Sequence, residues 1–251
     1  MTLALAPARE SRPEARRLAI VPAYNEAACV GAVVDEIRAA DPGMVILVVD
    51  DGSCDGTAAV ARARGARVVS LPFNLGIGGA VQTGYRYACE CGFDVAVQVD
   101  ADGQHDATEL AALLAPVLAG EADVAVGTRF AGVARAYRAP LARRVGIALF
   151  ARAISGITGQ RVTDTTSGFR AANRRAIALF ADDYPHDYPE VEATVMAVKE
   201  RLRLVEVPVS MRERAAGRSS ITAARSVYYM AKVLVALFVG LFRAPRTERA
   251  A

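Results

Sequence analysis

The sequence contains the stretch VAVQVDADGQ at residues 95–104, in which an alternating apolar run leads into two carboxylates. Valine at every second position predicts a buried strand that ends near Asp100, and Gly103 allows the chain to turn sharply after it. In an extended chain, side chains at positions i and i+2 point to the same side. We therefore expect Asp100 and Asp102 to face one ligand, with Gln104 continuing the same spacing.

Oxygen ligands in this pattern suit a hard divalent cation, Mg²⁺ or Mn²⁺. Mg²⁺ often takes one or two protein carboxylates and completes its shell with water and substrate phosphates, so the pattern also indicates a phosphate-bearing ligand. The tripeptide alone leaves a second interpretation open. In that interpretation, the carboxylates belong to an Asp-Gly turn and cap a helix opened by Asp106, Thr108 and Glu109.

Strands and helices alternate on the amino-terminal side of this stretch. The predicted strands are 18–21, 45–49, 68–71 and 95–99, and the helices between them are 26–40, 57–64 and 78–91. This order predicts an α/β fold with a mainly parallel sheet covered on both faces. Beyond residue 105 we expect helices at 109–118, 141–154, 174–180 and 191–201, strands at 124–127 and 204–209, and a polar loop at 163–170.

Polar residues follow three of the predicted strands: Tyr24-Asn25-Glu26, Asp50-Asp51 and Asp100-Ala101-Asp102. Ligands of parallel sheets bind beyond the carboxyl ends of the strands, so these loops are expected to converge on one site. The Tyr24 ring can pack on a base or ribose, and Glu26 can accept hydrogen bonds from sugar hydroxyls. In the alternative, Asn25 or Glu26 caps the next helix and Tyr24 is half-buried. Asp51, the second carboxylate of the Asp50-Asp51 pair, is expected to accept from a base N–H, and one Asp of the pair is expected to be structural.

The segment Asn74–Ala80 reads NLGIGGA and resembles a phosphate loop, but it lacks the P-loop lysine and the register of a dinucleotide-binding loop. We interpret it as a place where backbone packs closely beside a nucleotide.

Composition narrows the class of protein. A length of 251 residues suits one large α/β domain, and a net charge of +3 gives no indication of a nucleic-acid partner. The four cysteines lack zinc-site spacing, which indicates reduced thiols and a cytosolic setting.

The two ends of the chain differ from the middle. Residues 1–17 lack the apolar core of a signal peptide and are expected to form a mobile arm. Residues 227–242 are apolar apart from Lys232, but as a helix they reach roughly 24 Å, short of the ~30 Å hydrocarbon core. We expect a helix over 223–243 that lies on a membrane surface, followed by a tail at 244–251. A buried closing helix or a dimer contact stays open as an alternative.

Together these motifs resemble the family 2 glycosyltransferases of the GT-A fold, most of all the dolichyl- or polyprenyl-phosphate mannosyltransferases. The resemblance covers about residues 18–222. The matching motifs are PAYNE at 22–26, VDDGS at 49–53, NLGIG at 74–78, DADGQ at 100–104, GTR at 127–129, TSGFR at 166–170, EVPV at 206–209 and RAAGRS at 214–219. The family often has Lys directly after the last motif, where this chain has Ser220, and Arg218 is a candidate substitute.

The resemblance implies a GT-A catalytic domain over 18–222, with a Rossmann-like nucleotide-binding half at 18–105, an acceptor half at 106–222, and the apolar helix after it. It implies four sets of site residues. The nucleotide-binding set is Pro22, Tyr24, Glu26, Val49, Asp51, Asp100 and Ala101, and the metal set is Asp100, Asp102 and Gln104. The catalytic set is Asp102, Arg129, Arg170 and Arg214. The acceptor-phosphate set is Arg129, Arg143, Ser167 and Arg170. Arginine suits a phosphate because its planar guanidinium can donate two hydrogen bonds at once.

The function implied is a metal-dependent, inverting transfer of one sugar from a nucleotide-sugar donor to a polyprenyl phosphate, with Mg²⁺ or Mn²⁺ as cofactor. The enzyme is expected to be peripheral on the cytoplasmic face of the cell membrane. A small membrane-protein partner and a homodimer are both open possibilities. The chain has no Trp, so the Gln-x-x-Arg-Trp motif of processive synthases is absent and a single transfer is favoured. Two alternatives stay open: a transferase with a soluble or protein-linked acceptor, for which Asp187, Glu190 and Glu192 are candidate bases, and a non-catalytic nucleotide-sugar-binding subunit.

Overall fold

The structure is a computed structural model that describes residues 15–128, 167–186 and 189–212. Seven strands of this part of the chain form one sheet. They are β1 (Arg17–Ala23), β2 (Val45–Asp50), β3 (Arg67–Ser70), β4 (Val95–Gln98), β5 (Val124–Thr128), β6 (Arg170–Asn173) and β7 (Leu204–Pro208). The spatial order is β3-β2-β1-β4-β6-β5-β7, and β6 alone among these strands runs antiparallel to its neighbours. The α/β fold with a mainly parallel sheet is confirmed.

Helices cover both faces of the sheet. They are α1 (Val30–Ala40), α2 (Thr57–Ala63), α3 (Gly76–Glu90), α4 (Leu110–Leu118), α5 (Arg174–Asp182) and α6 (Pro189–Lys199). Alternate strand residues feed two cores: Ala19 and Val21 pack with α1, α2 and α4, whereas Leu18 and Ile20 pack with α3, α5 and α6. The contact between α3 and β1 is especially close, because a Cβ on Gly84 would lie 2.2 Å from Ile20 Cγ2.

The parallel register brings the predicted loops together. β1 pairs with β2 on one side, Ala23 opposite Asp50, and with β4 on the other, Ile20 opposite Gln98. The hydrogen bonds continue past the strand ends, since Asp51 N donates to Ala23 O at 2.9 Å and Val99 N donates to Ile20 O at 2.9 Å. Three polar loops therefore leave the same edge of the sheet side by side.

Three expectations about elements need correction. The predicted polar loop at 163–170 runs into a strand that the sequence did not indicate, because Arg170 begins β6. The first helix begins at Val30 rather than Glu26, because the Glu26 carbonyl accepts from Cys29 N and Val30 N and closes a turn first. The predicted mobile arm at 1–17 ends earlier than expected, because Arg16 N donates to Asp94 at 2.8 Å and Arg17 begins β1. Residues 1–14 of that arm, the predicted helix at 141–154 and the segments at 223–243 and 244–251 lie outside the described residues.

Candidate active site

The loops after β1 and β2 are hydrogen-bonded to each other. Asn25 N donates to Ser53 Oγ at 2.9 Å, and Cys54 N donates to Asn25 Oδ1 at 2.9 Å. Asn25 has a φ of 55°, a left-handed conformation that Asn tolerates better than most residues. The turn leaves Tyr24 48% exposed and Glu26 half-buried, so both side chains are accessible at the edge of the sheet.

Two other predicted nucleotide-binding residues lie beneath this surface. Pro22 and Val49 pair across β1 and β2, and both are buried. They support the loops that carry Tyr24 and Asp51.

The two carboxylates after β2 both accept hydrogen bonds from backbone N–H groups. Asp50 Oδ1 accepts from Ser53 N at 3.1 Å, while Asp51 accepts from Leu75 N at 2.7 Å and from Gly76 N at 2.9 Å. Burial raises the pKa of Asp51, against the two backbone N–H donors that lower it. Asp51 thus fixes the start of α3 at the edge, and each of its oxygens keeps a lone pair for a further donor.

The loop after β4 orients its carboxylates with short-range contacts. Asp100 Oδ1 accepts from Gln98 Nε2 at 3.0 Å, and the Asp100 side chain is 34% exposed. Asp102 is buried and its Oδ1 accepts from Gln104 N at 3.0 Å. Gly103 turns the chain between them with a φ of 77°.

A histidine braces this loop against the start of β6. His105 is 5% exposed and accepts from Asp100 N through Nδ1 at 3.0 Å. Its ring stacks on Phe169, with 4.8 Å between ring centroids. Gly168 lies against the carboxylate itself, since a Cβ there would lie 2.8 Å from Gln98 Nε2 and 3.2 Å from Asp100 Oδ2. The second half of the chain therefore contacts Asp100 directly.

The residues present fit a divalent cation that is shared with a phosphate. The described residues contain no group of three His, Cys, Asp or Glu side chains that could hold a metal by themselves. They do supply the carboxylates of Asp100 and Asp102 with the amide of Gln104, on a loop that is partly open to solvent. Mg²⁺ and Mn²⁺ are commonly held by such a partial shell, which substrate phosphate oxygens complete.

The opposite side of the site contains a buried cation and a buried hydroxyl. Arg170 is 1% exposed and its Nε donates to Ser167 O at 2.8 Å, while a terminal nitrogen donates to the Glu190 carbonyl. Ser167 Oγ is buried and has no hydrogen-bond partner among the described residues. No ion pair joins Arg170 to a carboxylate within the described ranges. Burial raises the pKa of Glu190, although the positive charge of Arg170 opposes this change.

Comparisons with known proteins decide the family. Residues 18–201 match the family described as Glycosyl transferase family 2. The chain belongs to this glycosyltransferase family. It is 34% identical to polyprenol monophosphomannose synthase of Mycolicibacterium smegmatis over 88% of this chain and 87% of that protein. It is 34% identical to undecaprenyl-phosphate mannosyltransferase of Micrococcus luteus over 82% of this chain and 88% of that protein.

Solved structures support the fold of this glycosyltransferase. A crystal structure of glucosyl-3-phosphoglycerate synthase from Mycobacterium tuberculosis, in complex with Mn²⁺, uridine diphosphate and glucosyl-3-phosphoglycerate, aligns with a TM-score of 0.68 at 22% identity. The alignment covers 92% of this chain and 81% of that chain. The predicted GT-A fold is therefore confirmed.

Part of the predicted site of the glycosyltransferase lies outside the described residues. Arg129, Arg143 and Arg214 fall there, as does the candidate base Asp187. The structure brings Tyr24, Glu26, Asp51, Asp100 to Gln104, Ser167 and Arg170 to the region around one edge of the sheet. Among the described helices, none is both long and apolar enough to cross a membrane.

Sequence reasoning missed two residues that organise this site in the glycosyltransferase. The sequence indicates no partner for His105, and its place five residues after Asp100 in a tight turn is the available signal. Arg212 carried no motif, and its contacts with Asp106 and Glu36 join segments far apart in the chain.

Proposed function

We propose that this glycosyltransferase moves one sugar from a nucleoside-diphosphate donor to a polyprenyl phosphate, in a single displacement that inverts the anomeric centre. Of the two relatives that share 34% identity with the chain, one is named a synthase of polyprenol monophosphomannose and the other an undecaprenyl-phosphate mannosyltransferase. This similarity supports a polyprenyl acceptor and leaves the donor base and the sugar open.

The observation that carries the acceptor assignment is the burial of Arg170 without an ion pair to any carboxylate of the described residues. A charge removed from water is costly unless a counter-charge meets it, and in the described ranges Arg170 donates to neutral carbonyls. The Glu190 carboxylate is near enough for the charge of Arg170 to act on its pKa, but it forms no ion pair with Arg170. A phosphate monoester provides an anion for direct contact, since guanidinium binds phosphate through paired hydrogen bonds. The adjacent Ser167 hydroxyl, buried and without a partner among the described residues, offers a further donor to the same anion.

The donor side is assigned to the three strand-end loops. Tyr24, Glu26 and Asp51 face the nucleoside, supported by Pro22, Val49 and Ala101. Asp100, Asp102 and Gln104 would hold a divalent cation shared with the diphosphate, an assignment supported by Mn²⁺ and uridine diphosphate in a solved structure of the same fold. When it is bound, the cation neutralises charge on the leaving diphosphate.

The reaction then needs no general base. A phosphate monoester loses its second proton near pH 6, so its oxygen is already a nucleophile at neutral pH. That oxygen forms the new bond to the anomeric carbon as the bond to the diphosphate oxygen breaks. In this chain Arg170 and Ser167 hold the attacking phosphate, and Arg129, Arg143 and Arg214 are assigned to the phosphates by motif and position.

The domain limits of 18–222 and a membrane-surface helix over 223–243 belong to the same proposal.

A second candidate is supported by Glu190. Its raised pKa and its position beside Arg170 suit a group that accepts a proton from an alcohol. In that case the acceptor carries a hydroxyl rather than a phosphate, and the reaction requires the carboxylate.

One acceptor panel separates these functions. Polyprenyl phosphate, the matching polyprenol and soluble sugars are offered to the full chain with labelled nucleotide sugars and Mn²⁺. We expect product from polyprenyl phosphate alone, loss of product in chelator, and loss of at least about a thousandfold in Asp102→Asn. Asp94→Asn, a carboxylate exchange at the other edge of the sheet, is the control. Transfer to polyprenol that depends on Glu190 would show that the acceptor is an alcohol rather than a phosphate. Full activity in chelator would show that the reaction needs no metal.

A further inference from the structure

The segment between β3 and α3, with the first turn of α3, exposes three large apolar side chains. Phe73 is 64% exposed, Leu75 45% and Ile77 42%. Tyr24, at the end of β1, adds a fourth at 48%. Across the described residues these account for four of the six large exposed hydrophobic side chains, so exposure is concentrated at one place rather than scattered.

Contacts join this place to the candidate active site. Asp51 accepts from the backbone of Leu75, and a Cβ on Gly52 would lie 2.7 Å from the carbonyl carbon of Phe73. The loop that carries Tyr24 is in turn hydrogen-bonded to Ser53. We call the three side chains Phe73, Leu75 and Ile77 the apolar rim, because they border the edge of the sheet at which the donor loops end.

The apolar rim lies in an uncharged segment. From Val68 to Tyr85 the chain contains no Asp, Glu, Lys, Arg or His. A solvated loop of a globular protein is ordinarily rich in polar residues, and clustered exposed apolar residues mark interaction sites. The absence of charge also distinguishes this surface from one that recognises nucleic acid or an acidic peptide.

We infer that the apolar rim docks the enzyme on the lipid bilayer and faces the catalytic edge of the sheet toward the membrane. The inference rests on the proposed function, because a polyprenyl phosphate keeps its tail in the bilayer and its phosphate at the surface. An enzyme that receives this phosphate at one edge must present that edge to the lipid, and the apolar rim is at that edge. Since the rim is neutral, it binds by apolar insertion and needs no anionic headgroup.

The first measurement is vesicle sedimentation of the full chain with neutral phosphatidylcholine and no acceptor. We expect Leu75→Ser to weaken binding several-fold and Phe73→Ser/Ile77→Ser about tenfold or more, since each exchange removes apolar surface from lipid. Added salt is expected to leave the difference between variants and parent unchanged. The matched control is Leu118→Ser. Leu118 is also 45% exposed, but it ends α4 near the amino end of β5, at the opposite edge.

The second measurement separates lipid docking from donor binding. The single variant Phe73→Ser, which lies outside the segment at 74–80 that is expected to pack beside the nucleotide, is assayed with a polyprenyl phosphate embedded in vesicles and with a short-chain, water-soluble prenyl phosphate. We expect reduced transfer to the embedded acceptor, with unchanged transfer to the soluble one and an unchanged donor KM.

Three results overturn the inference: vesicle binding that the rim variants do not alter, an equal loss in Leu118→Ser, or a raised donor KM without a change in binding. Rim-dependent binding supports the docking surface even where the parent transfers to neither acceptor. That result would contradict the proposed transfer to polyprenyl phosphate and still support the apolar rim as a surface that binds the bilayer.

Discussion

Ser167 lies directly before the glycine that packs on Asp100, and its buried hydroxyl has no hydrogen-bond partner in the part of the chain that the structure describes. Its removal should cost the fold little, because an unsatisfied buried polar group contributes no net hydrogen bond. We expect Ser167→Ala to keep or slightly raise the melting temperature while the KM for polyprenyl phosphate rises about tenfold, as for the loss of one hydrogen bond to a charged group. Steady-state kinetics with each substrate varied, together with thermal unfolding, measure both effects.

The control for this exchange is Ser70→Ala at the end of β3, where the hydroxyl accepts from Arg62 at 3.3 Å. It should leave both KM values unchanged. A Ser167→Ala enzyme with an unaltered acceptor KM, or with equal increases for donor and acceptor, would contradict a role for the hydroxyl in binding the acceptor phosphate.

Individual residues were predictable where a short pattern fixes them. The one-residue spacing of Asp100 and Asp102 after a valine-rich strand correctly placed both in the loop that follows β4. The burial of Arg170 was not predictable, because it depends on β6 and on the Glu190 carbonyl rather than on neighbouring residues. The His105 contact with Phe169 depends in the same way on a segment distant in sequence.

Among the elements, the short segment after β7 pairs with the loop at residues 100–105, which is proposed to bind the metal and is called the metal loop below. Met211 forms an isolated antiparallel bridge with His105, and Arg212 N donates to Gln104 O at 2.9 Å. The Arg212 side chain pairs with Asp106 at 2.8 Å and with Glu36 of α1 at 2.8 Å. This segment holds the metal loop against α1, and Arg214, assigned above to the diphosphate, follows two residues later in sequence.

We therefore expect Arg212→Met to raise the KM for the donor several-fold, because the loop of Asp102 and Gln104 loses a brace. Both ion pairs are partly exposed, so their loss should cost less than about 1 kcal/mol of unfolding free energy each. Donor KM, acceptor KM and urea unfolding are compared with those of Arg212→Lys, which should recover part of the affinity.

Arg174→Met is the matched control for this brace, since Arg174 pairs with Asp94 at 2.7 Å near the amino end of β4. It should shift stability by a similar amount without changing donor KM. An Arg212→Met enzyme that loses stability and leaves donor KM intact would show that the contact is structural alone.

Elements were predictable where composition and pairing agree. The parallel strands are rich in Val, Ile and Leu, and the sequence predicted them to within a residue or two. β6 reads Arg-Ala-Ala-Asn and contains no β-branched residue, so its strand character comes from pairing between β4 and β5. Strand preference depends strongly on such neighbours, which a single sequence does not display.

For the whole molecule, the sheet order places loops from the two halves of the chain in contact. β1 and β2 carry the loops proposed to bind the nucleoside, and β4 carries the loop proposed to bind the metal. β6 lies beside β4 and brings Gly168 against Asp100. A ligand that bridges these loops connects elements from both halves of the chain. It should therefore stabilise the fold as a unit, because it binds the folded state and not the separated segments.

Thermal unfolding of the full chain with a panel of nucleoside diphosphates tests this expectation. At a ligand concentration about a hundredfold above Kd, binding adds about 2.7 kcal/mol, which for a chain of this size corresponds to a rise of about 5–10 °C in Tm. We expect that rise with one base and Mn²⁺ together, and a much smaller one when either the metal or the diphosphate is omitted, because each completes the other's contacts with Asp100 and Asp102. The base that gives the largest rise names the donor class. Equal shifts with and without chelator would show that no metal takes part in binding. No shift with any base would show that these strand-end loops do not bind a nucleotide.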